Sequence, residues 1–211
     1  MVMRHEVLGA LREAVRRMEG ARPARVPGVV RSGHDALDRL LPAGGMVRGT
    51  IVEWLESGVG SGANTLALLA AREACRDGGP LIVIDRKQMF YPLAARGWGM
   101  DLENLVLVYP ENDGDEIWAL DQVLRTPHIA AVLAWPDRLA GHIFRRLQLA
   151  VETSGGLGLF VRRETAKSEP SWADIRWQVV PRTSQAGWRL RVELLRVRGG
   201  PGRGSVEIDV E

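Results

Sequence analysis

Three glycines stand between a β-branched apolar run and a helical pattern near the first third of the chain. The stretch from Gly49 to Thr65 reads GTIVEWLESGVGSGANT and contains Gly58, Gly60 and Gly62. In such a loop the backbone N–H groups surround a phosphate, a lysine contacts the outer phosphates, and a hydroxyl holds a magnesium ion. The chemistry that this spacing indicates is therefore the binding of nucleotide phosphates.

The loop lacks the lysine that this chemistry requires. Counting the GxxxxGK[ST] spacing from Gly58 places Ala63 at the second glycine, Asn64 at the lysine and Thr65 at the hydroxyl. Counting back from Gly62 places Ala63 at the lysine and Asn64 at the hydroxyl. Both registers fail at the charged position, although backbone N–H groups can hold an anion by themselves. We therefore expect no required cofactor and no metal, and ATP binding without hydrolysis stays open.

The elements around the loop alternate between strands and helices. The helices are predicted at His34–Leu41, Leu66–Arg76, Gln88–Arg96, Asp115–Leu124 and Arg138–Glu152. Apolar strands are predicted before the glycine loop and at Leu81–Asp85, Leu105–Val108, Ile129–Ala134 and Leu157–Val161. This alternation predicts an α/β fold with a mostly parallel sheet that helices cover on both faces. Three strands without helices between them, predicted to form an antiparallel extension, follow at Ile175–Val180, Trp188–Val197 and Ser205–Val210.

An amphipathic pattern precedes this core. Residues 1–20 are predicted to form a helix, residues 21–31 an extended linker, and residues 32–211 one core domain. The apolar stripe of the helix consists of Val7, Leu8, Leu11, Val15 and Met18. The helix either packs on its own domain or uses the linker to dock on a partner chain or a second copy.

Composition limits the function classes. The net charge is +2, from 28 Lys and Arg against 26 Asp and Glu, which does not by itself indicate a nucleic-acid partner. The single cysteine, Cys75, has no partner for a disulfide or a metal site, as is typical of a reducing cytoplasm. Charged residues interrupt every apolar run, so neither a signal peptide nor a membrane span is expected.

Arginines and tryptophans supply the remaining candidate binding residues. The strand Trp188–Val197 alternates apolar and charged residues until Leu195, beyond which a bulge or a strand end is needed to keep arginines out of the core. A solvated sheet face is one interpretation and weak contact with DNA phosphates is the other. The candidate DNA-contacting residues are Arg162, Arg163, Arg189, Arg191, Arg196 and Arg198. Trp98, Trp118 and Trp172 lie in or beside polar segments and are candidates for an exposed interface.

From about Val30 onward the chain resembles the ATPase core of the RecA recombinase family. The resemblance is carried by SGHDALDRLLPAGGMVRGTIVEWL, by LIVIDRKQMFYPLAARGWGMDLENLVLVYPENDGDEIWAL and by RRLQLAVETSGGLGLFVR. Within that superfamily, the GSGANT loop, the segment FRRLQLAVETSGGLGLFVR and the ending WRLRVELLRVRGGPGRG look like the ImuA family of RecA-like accessory proteins. The resemblance implies a RecA-like three-layer fold and a role in SOS-induced translesion DNA synthesis and mutagenesis.

Two further positions depart from the pattern that the resemblance implies. Lys87 stands where the family carries a water-activating glutamate, and a charged lysine cannot accept the proton of water. Ala134 or Trp135 stands where a strand should end in a magnesium-anchoring aspartate. Asp137 is the nearest carboxylate, but beyond Pro136 we expect it to cap a helix rather than to bind a metal.

We therefore predict a catalytically inactive RecA-like scaffold that acts by protein–protein interaction. The resemblance implies three partners: an ImuB-like inactive Y-family polymerase homologue, an error-prone C-family polymerase, and RecA itself. It also implies a cytoplasmic protein that joins the nucleoid after DNA damage. Two alternatives remain at this point, a DNA-stimulated RecA-like ATPase and a cell-division inhibitor of the SulA type.

Overall fold

The computed structural model describes residues 28–58, 60–182, 188–200 and 202–210. The predicted helix of residues 1–20, with Val7, Leu8, Leu11, Val15 and Met18, lies outside these ranges. Within the stretch assigned to the linker, strand β1 (Val29–Val30) pairs in antiparallel register with β2 (Met46–Val47). Between them lies helix α1 (Asp35–Asp38), which is shorter than the predicted His34–Leu41.

The main sheet has eight strands in the order β10-β9-β8-β3-β7-β6-β4-β5. Its strands are β3 (Thr50–Glu56), β4 (Leu81–Ile84), β5 (Leu105–Val108), β6 (Ala131–Ala134), β7 (Leu157–Arg163), β8 (Ile175–Arg182), β9 (Trp188–Val197) and β10 (Gly204–Val210). The central pairs are parallel, as their continuous apolar sequences predict. β8, β9 and β10 pair antiparallel with one another, which confirms the predicted extension, and β8 joins this extension to the core by pairing with β3 in parallel.

Helices cover both faces of the sheet and give three layers. The remaining helices are α2 (Ala63–Cys75), α3 (Pro92–Gly97), α4 (Asp113–Arg125) and α5 (Gly141–Ser154). Residues of α2 and α3 share one buried apolar cluster with Val52 and Trp54 of β3. Residues of α4 and α5 share a second cluster with Ile51 of the same strand. The period of two along a strand separates these neighbours onto opposite faces, as an α/β fold requires.

Two predicted helices begin later than expected, and for the first of them a loop carboxylate that binds a backbone N–H gives the reason. The Asp85 carboxylate accepts a hydrogen bond of 2.6 Å from the Phe90 backbone N–H, and Gln88 has a positive φ of 53°. These contacts hold residues 85–91 in a loop, so α3 starts at Pro92 rather than at Gln88. The helix predicted from Arg138 starts at Gly141.

The strand order places the carboxyl ends of β3, β7, β6 and β4 side by side. The loops that leave these ends carry the glycine loop, Lys87, Trp135 and Arg163. In open parallel sheets this edge is where ligands bind. The fold therefore brings the glycine loop, Lys87, Trp135 and Arg163 to the same edge of the sheet, although they belong to separate segments of the sequence.

Candidate functional site

The glycine loop connects β3 to α2 and depends on its glycines for its conformation. Gly58, Gly60 and Gly62 have φ values of 151°, 76° and 87°, in the region that disfavours residues with a Cβ atom. Gly62 immediately precedes α2 and has no side chain to cap it, while the Ala63 N–H donates to Ser61 Oγ at 3.4 Å. The first turn of α2 therefore presents backbone N–H groups at this loop, as the phosphate-binding layout predicts.

The three residues after Gly62 divide between the core and the surface. Ala63 is the first residue of α2 and is fully buried in the apolar cluster of that face. Asn64 is exposed and Thr65 is half-buried. The register that counts back from Gly62 thus puts the lysine position on a side chain that faces the core. Neither register provides a cation.

The Asn64 side chain forms a hydrogen bond with Trp135, the residue after β6. The Trp135 indole Nε1 donates a hydrogen bond of 2.6 Å to the Asn64 side-chain oxygen. In nucleotide-hydrolysing relatives of this layout, the loop hydroxyl and a strand-end aspartate hold the magnesium ion between them. In the register that counts back from Gly62, the Asn64 amide and the Trp135 indole occupy the corresponding places and form a hydrogen bond with each other. Ala134, the other residue considered for that strand end, is buried within the sheet.

Lys87, at the position where a glutamate was expected, forms an ion pair with a carboxylate from another loop. Its Nζ lies 2.8 Å from Asp137 Oδ1, and Arg86 Nη2 lies 3.0 Å from Asp137 Oδ2. The hydrogen bond from Lys87 lowers the pKa of Asp137 most, and the charges of Arg86 and Arg163 lower it further against the opposing effect of burial. Burial raises the pKa of Glu116, a second acidic partner of Arg86 beside Asp113. The position expected to activate water therefore carries a paired cation.

The prediction that Asp137 caps a helix is wrong. α5 begins at Gly141, so the residue at its N-cap position is Ala140 and not Asp137. Pro136 and Asp137 belong to the loop between β6 and α5. The Asp137 carboxylate is used by Lys87 and Arg86, which come from the neighbouring β4 loop.

Replacing Lys87 by methionine is expected to raise the pKa of the Asp137 carboxyl, because it removes the largest favourable interaction of the carboxylate. A lowered pKa means that ionised Asp137 stabilises the fold near neutral pH, and that this contribution is lost as the pH falls through its folded-state pKa. NMR titration of the carboxyl carbon measures the change. Arg163→Met, which removes a weaker and more distant charge, should give a smaller rise. An unchanged titration in Lys87→Met would show that the ion pair does not form in solution.

A cleft of about 480 Å³ opens beside the loop at the carboxyl ends of the strands. Asn64 and Thr65 contribute to its wall, and Lys87 and Arg163 supply basic groups. Much of the remaining lining is aromatic, from Phe90, Tyr91, Trp98 and Trp135. At its mouth Met89 and Tyr91 are 79% and 62% exposed. The cleft combines the polar end of a phosphate loop with an apolar wall.

Arg162 lies inside the protein. Its Nη1 is 2.8 Å from Glu53 Oε1 and its Nη2 is 2.6 Å from Glu169 Oε2, with no exposed side-chain surface. Glu53 also binds Arg176 Nε at 2.7 Å and the Ser171 hydroxyl at 2.7 Å. Arg162 is therefore unavailable to a phosphate, which corrects its predicted role in DNA contact. The sequence signal for this buried network was Glu53, the one acidic residue within the apolar run TIVEWL, and this signal was not recognised.

Arg163, the next residue, is exposed at the edge of the cleft. The two adjacent arginines separate because β7 alternates its side chains between opposite directions. Arg163 keeps its predicted role as a candidate phosphate contact.

The β9 arginines remain outside the core because the ladder contains a bulge. The register between β8 and β9 shifts between Arg176 and Trp177, so that Leu195 has no partner. This confirms the bulge that the sequence required near Leu195. Beyond it Arg196 and Arg198 are exposed.

Most of these arginines have partners within the protein. Arg189 binds Asp209 at 2.8 Å and Arg198 binds Asp174 at 3.2 Å. Arg191 is half-buried and stands in register with Glu207 of β10. Arg196 donates to the Ser171 carbonyl oxygen at 2.7 Å. DNA contact by this face stays a prediction.

β9 also supports the glycine loop from inside. Leu190 is fully buried, and a Cβ atom added to Gly62 would lie 2.3 Å from Leu190 Cδ1. The antiparallel extension thus packs directly against Gly62, the residue that precedes α2. Sequence reasoning missed this contact because no periodicity links Gly62 to Leu190.

Across the described ranges, no group of three or more His, Cys, Asp or Glu side chains could hold a metal ion. Among the helices in those ranges, none is long and apolar enough to cross a membrane.

The fold and the site together define a class of protein, the RecA-like α/β domain with a glycine loop at the end of its first central strand. The profile of the RecA N-terminal domain matches residues 11–143, which is more than half of the chain. The chain therefore belongs to the RecA N-terminal domain family.

Curated relatives agree with this assignment. The chain is 34% identical to protein RecA of Streptomyces avermitilis over 107 residues, covering 51% of this chain and 28% of that protein. It is 35% identical to protein RecA of Gluconacetobacter polyoxogenes over 107 residues, covering 51% and 30%. With protein RecA of Chlorobaculum tepidum it shares 34% identity over 157 residues, covering 64% and 45%. The chain spans less than half the length of these relatives.

Proposed function

We propose that this chain is a RecA-like protein that does not hydrolyse ATP and acts by assembling other proteins. The observation that carries the proposal is the 2.6 Å hydrogen bond between Trp135 and Asn64, because these residues occupy the positions expected to hold a magnesium ion in the register that counts back from Gly62. An amide oxygen already engaged by an indole N–H is a poor ligand for a cation. The strand-end position supplies no carboxylate at all.

The charges around the loop support the same proposal. A triphosphate requires cations, and the loss of one charge-assisted contact costs about 1.5–3 kcal/mol. Ala63 contributes no charge and faces the core. Lys87, the nearest cation of the β4 loop, is paired with Asp137. General-base activation of water at position 87 would require that lysine to lose its proton.

We further propose that the assembly is a translesion DNA synthesis complex formed during the SOS response to DNA damage. The resemblance of the GSGANT loop, of FRRLQLAVETSGGLGLFVR and of WRLRVELLRVRGGPGRG to the ImuA family supports this role. The expected partners are an ImuB-like inactive Y-family polymerase homologue, an error-prone C-family polymerase, and RecA. The apolar stripe of residues 1–20 is the proposed docking element for a partner or for a second copy.

A DNA-stimulated ATPase is the second candidate function, and one feature favours it. The cleft beside Asn64 and Thr65 is open and is lined by Lys87 and Arg163, which could face an anion there. Binding of ATP without turnover would use the same groups together with the backbone N–H groups of the loop.

Phosphate release from ATP and magnesium separates these functions. We expect no release above the buffer background, with or without single-stranded DNA, because the loop cation, the proton acceptor and the metal carboxylate are all replaced. A RecA protein assayed in parallel verifies the reagents. The double variant Asn64→Ala, Thr65→Ala is the matched control, since it alters only two side chains in the first turn of α2, beside the loop. DNA-stimulated turnover that disappears in this variant would overturn the proposed function in favour of the ATPase.

A further inference from the structure

An exposed tryptophan lies against α5 on the side of the sheet away from α2. Trp172 is 43% exposed, and the Arg145 guanidinium carbon lies 4.8 Å from its ring centroid. Leu149, one turn further along α5 than Arg145, is 46% exposed. Arg196 approaches from β9 and donates to the carbonyl oxygen of Ser171, the residue before Trp172. We call Arg145, Leu149, Trp172 and Arg196 the Trp172 surface.

The two arginines of this surface carry positive charge without a carboxylate partner. Arg145 donates to the Gln148 side-chain oxygen, and Arg196 donates to a backbone carbonyl. Among the ion pairs of the described residues, neither guanidinium contacts an acid. By contrast, the neighbouring Arg146 binds Asp121 at 3.1 Å and Arg198 binds Asp174 at 3.2 Å. The Trp172 surface therefore has an excess of positive charge around an apolar ring.

The surface is held in place by the buried network of Glu53. The Ser171 hydroxyl donates to Glu53 Oε2 at 2.7 Å and accepts from the Ala173 N–H at 3.1 Å. Ala173 is itself fully buried in the core beneath α5. Trp172 is thus fixed by its neighbours on both sides, so its partial exposure is not a property of a loose loop. A fixed aromatic side chain loses little conformational entropy on binding.

We propose that the Trp172 surface binds an acidic peptide segment of a partner protein, one that carries a bulky apolar residue beside its carboxylates. Tryptophan and arginine are the side chains most enriched at binding hot spots. Two uncompensated guanidinium groups are complementary to carboxylates. Leu149 extends the apolar contact, which favours a peptide over the phosphodiester chain of a nucleic acid. The inference rests on the proposed assembly function and names the chemistry of one partner.

Selection of a random 12-residue peptide library on the immobilised full chain tests this inference, because the library requires no candidate partner protein. We expect enriched peptides to contain two or more Asp or Glu residues around one bulky apolar residue. Fluorescence anisotropy with a labelled consensus peptide then measures Kd. Trp172→Ala should raise Kd at least tenfold, and Trp172→Phe should raise it less because an aromatic face remains. Thermal melting of each variant verifies that it folds.

Two arginine variants and one tryptophan control sharpen the experiment. Arg145→Ala and Arg196→Ala should each raise Kd and reduce its dependence on salt, since they remove charge from the contact. Trp188→Ala is the matched control, because Trp188 is 38% exposed but lies on β9 outside the Trp172 surface. Its Kd should equal that of the wild type.

Three results would overturn the inference. These are enrichment of peptides without acids, a Kd unaffected by Trp172→Ala, and binding of a labelled oligothymidine that requires Trp172 while the peptide does not. The last result would assign the surface to single-stranded nucleic acid. The assays contain no ATP, so they are independent of ATP turnover. If the protein hydrolysed ATP and also bound the peptide through Trp172, only the proposed absence of hydrolysis would be refuted, and the peptide-binding inference would stand.

Discussion

Replacing Glu53 by glutamine is expected to lower the free energy of unfolding by about 3–5 kcal/mol, the range for breaking a buried ion pair from one side. Glu53 is fully buried, and its two carboxylate oxygens lie 2.8 Å and 2.7 Å from Arg162 and Arg176. A neutral amide of the same shape leaves both guanidinium groups in the interior without sufficient negative charge. The size of the loss follows from their desolvation, which Glu169 offsets only at Arg162.

Urea unfolding of Glu53→Gln measures this loss. Asp137→Asn is the matched control because it removes a carboxylate that also contacts two cations, but at a partly exposed position. Exposed pairs of this kind contribute about 0–1 kcal/mol. Equal losses in the two variants would mean that solvent reaches the Glu53 network.

Replacing Gly62 by alanine is expected to destabilise the protein by about 2–5 kcal/mol, from left-handed backbone strain of about 1–2 kcal/mol and overpacking of about 1–3 kcal/mol. Gly62 has a φ of 87°, and the new Cβ would lie 2.3 Å from Leu190 Cδ1. Because Leu190 is fully buried, its side chain has little room to move. The glycine loop and β9 should therefore shift together in this variant.

Gly60→Ala separates the two contributions. Gly60 lies in the same loop with a φ of 76°, but no atom lies within 4 Å of an added Cβ. Its substitution should cost only the backbone strain of about 1–2 kcal/mol. A double-mutant cycle with Leu190→Ala, measured by urea unfolding, should assign the remainder to contact with Leu190. Identical losses for Gly60→Ala and Gly62→Ala would remove the argument that β9 supports the loop.

The sequence predicted the central sheet well because buried strands have a local signature. Leu81–Ile84 and Leu105–Val108 are continuous apolar runs of the length of one strand. Glycines and helical periodicity mark the segments between them, and only one layered arrangement buries both faces of such strands. The lack of a lysine in the glycine loop could also be seen in the sequence, because only the residue types at fixed positions are needed to recognise it.

Contacts between distant residues could not be predicted in this way. Glu53 and Arg162 are separated by 109 positions, and either residue alone resembles an exposed charge. Asp85 shortens α3 by accepting from the Phe90 N–H, a contact that overrides the helical pattern of residues 88–91. β8 joins β3 in parallel because residues 164–174 return to the opposite end of the sheet, and no periodicity records that direction.

The buried position of Ala63 makes a phosphate-binding lysine hard to accommodate there. A codon change that restored lysine there would start an ammonium-bearing chain inside the apolar cluster shared by α2 and the sheet. Such a group is neutralised or expelled at considerable cost. An evolutionary path that placed a phosphate-binding lysine at this position would have to rebuild the surrounding packing first, and a protein engineer would do better to begin at the solvent-facing Asn64.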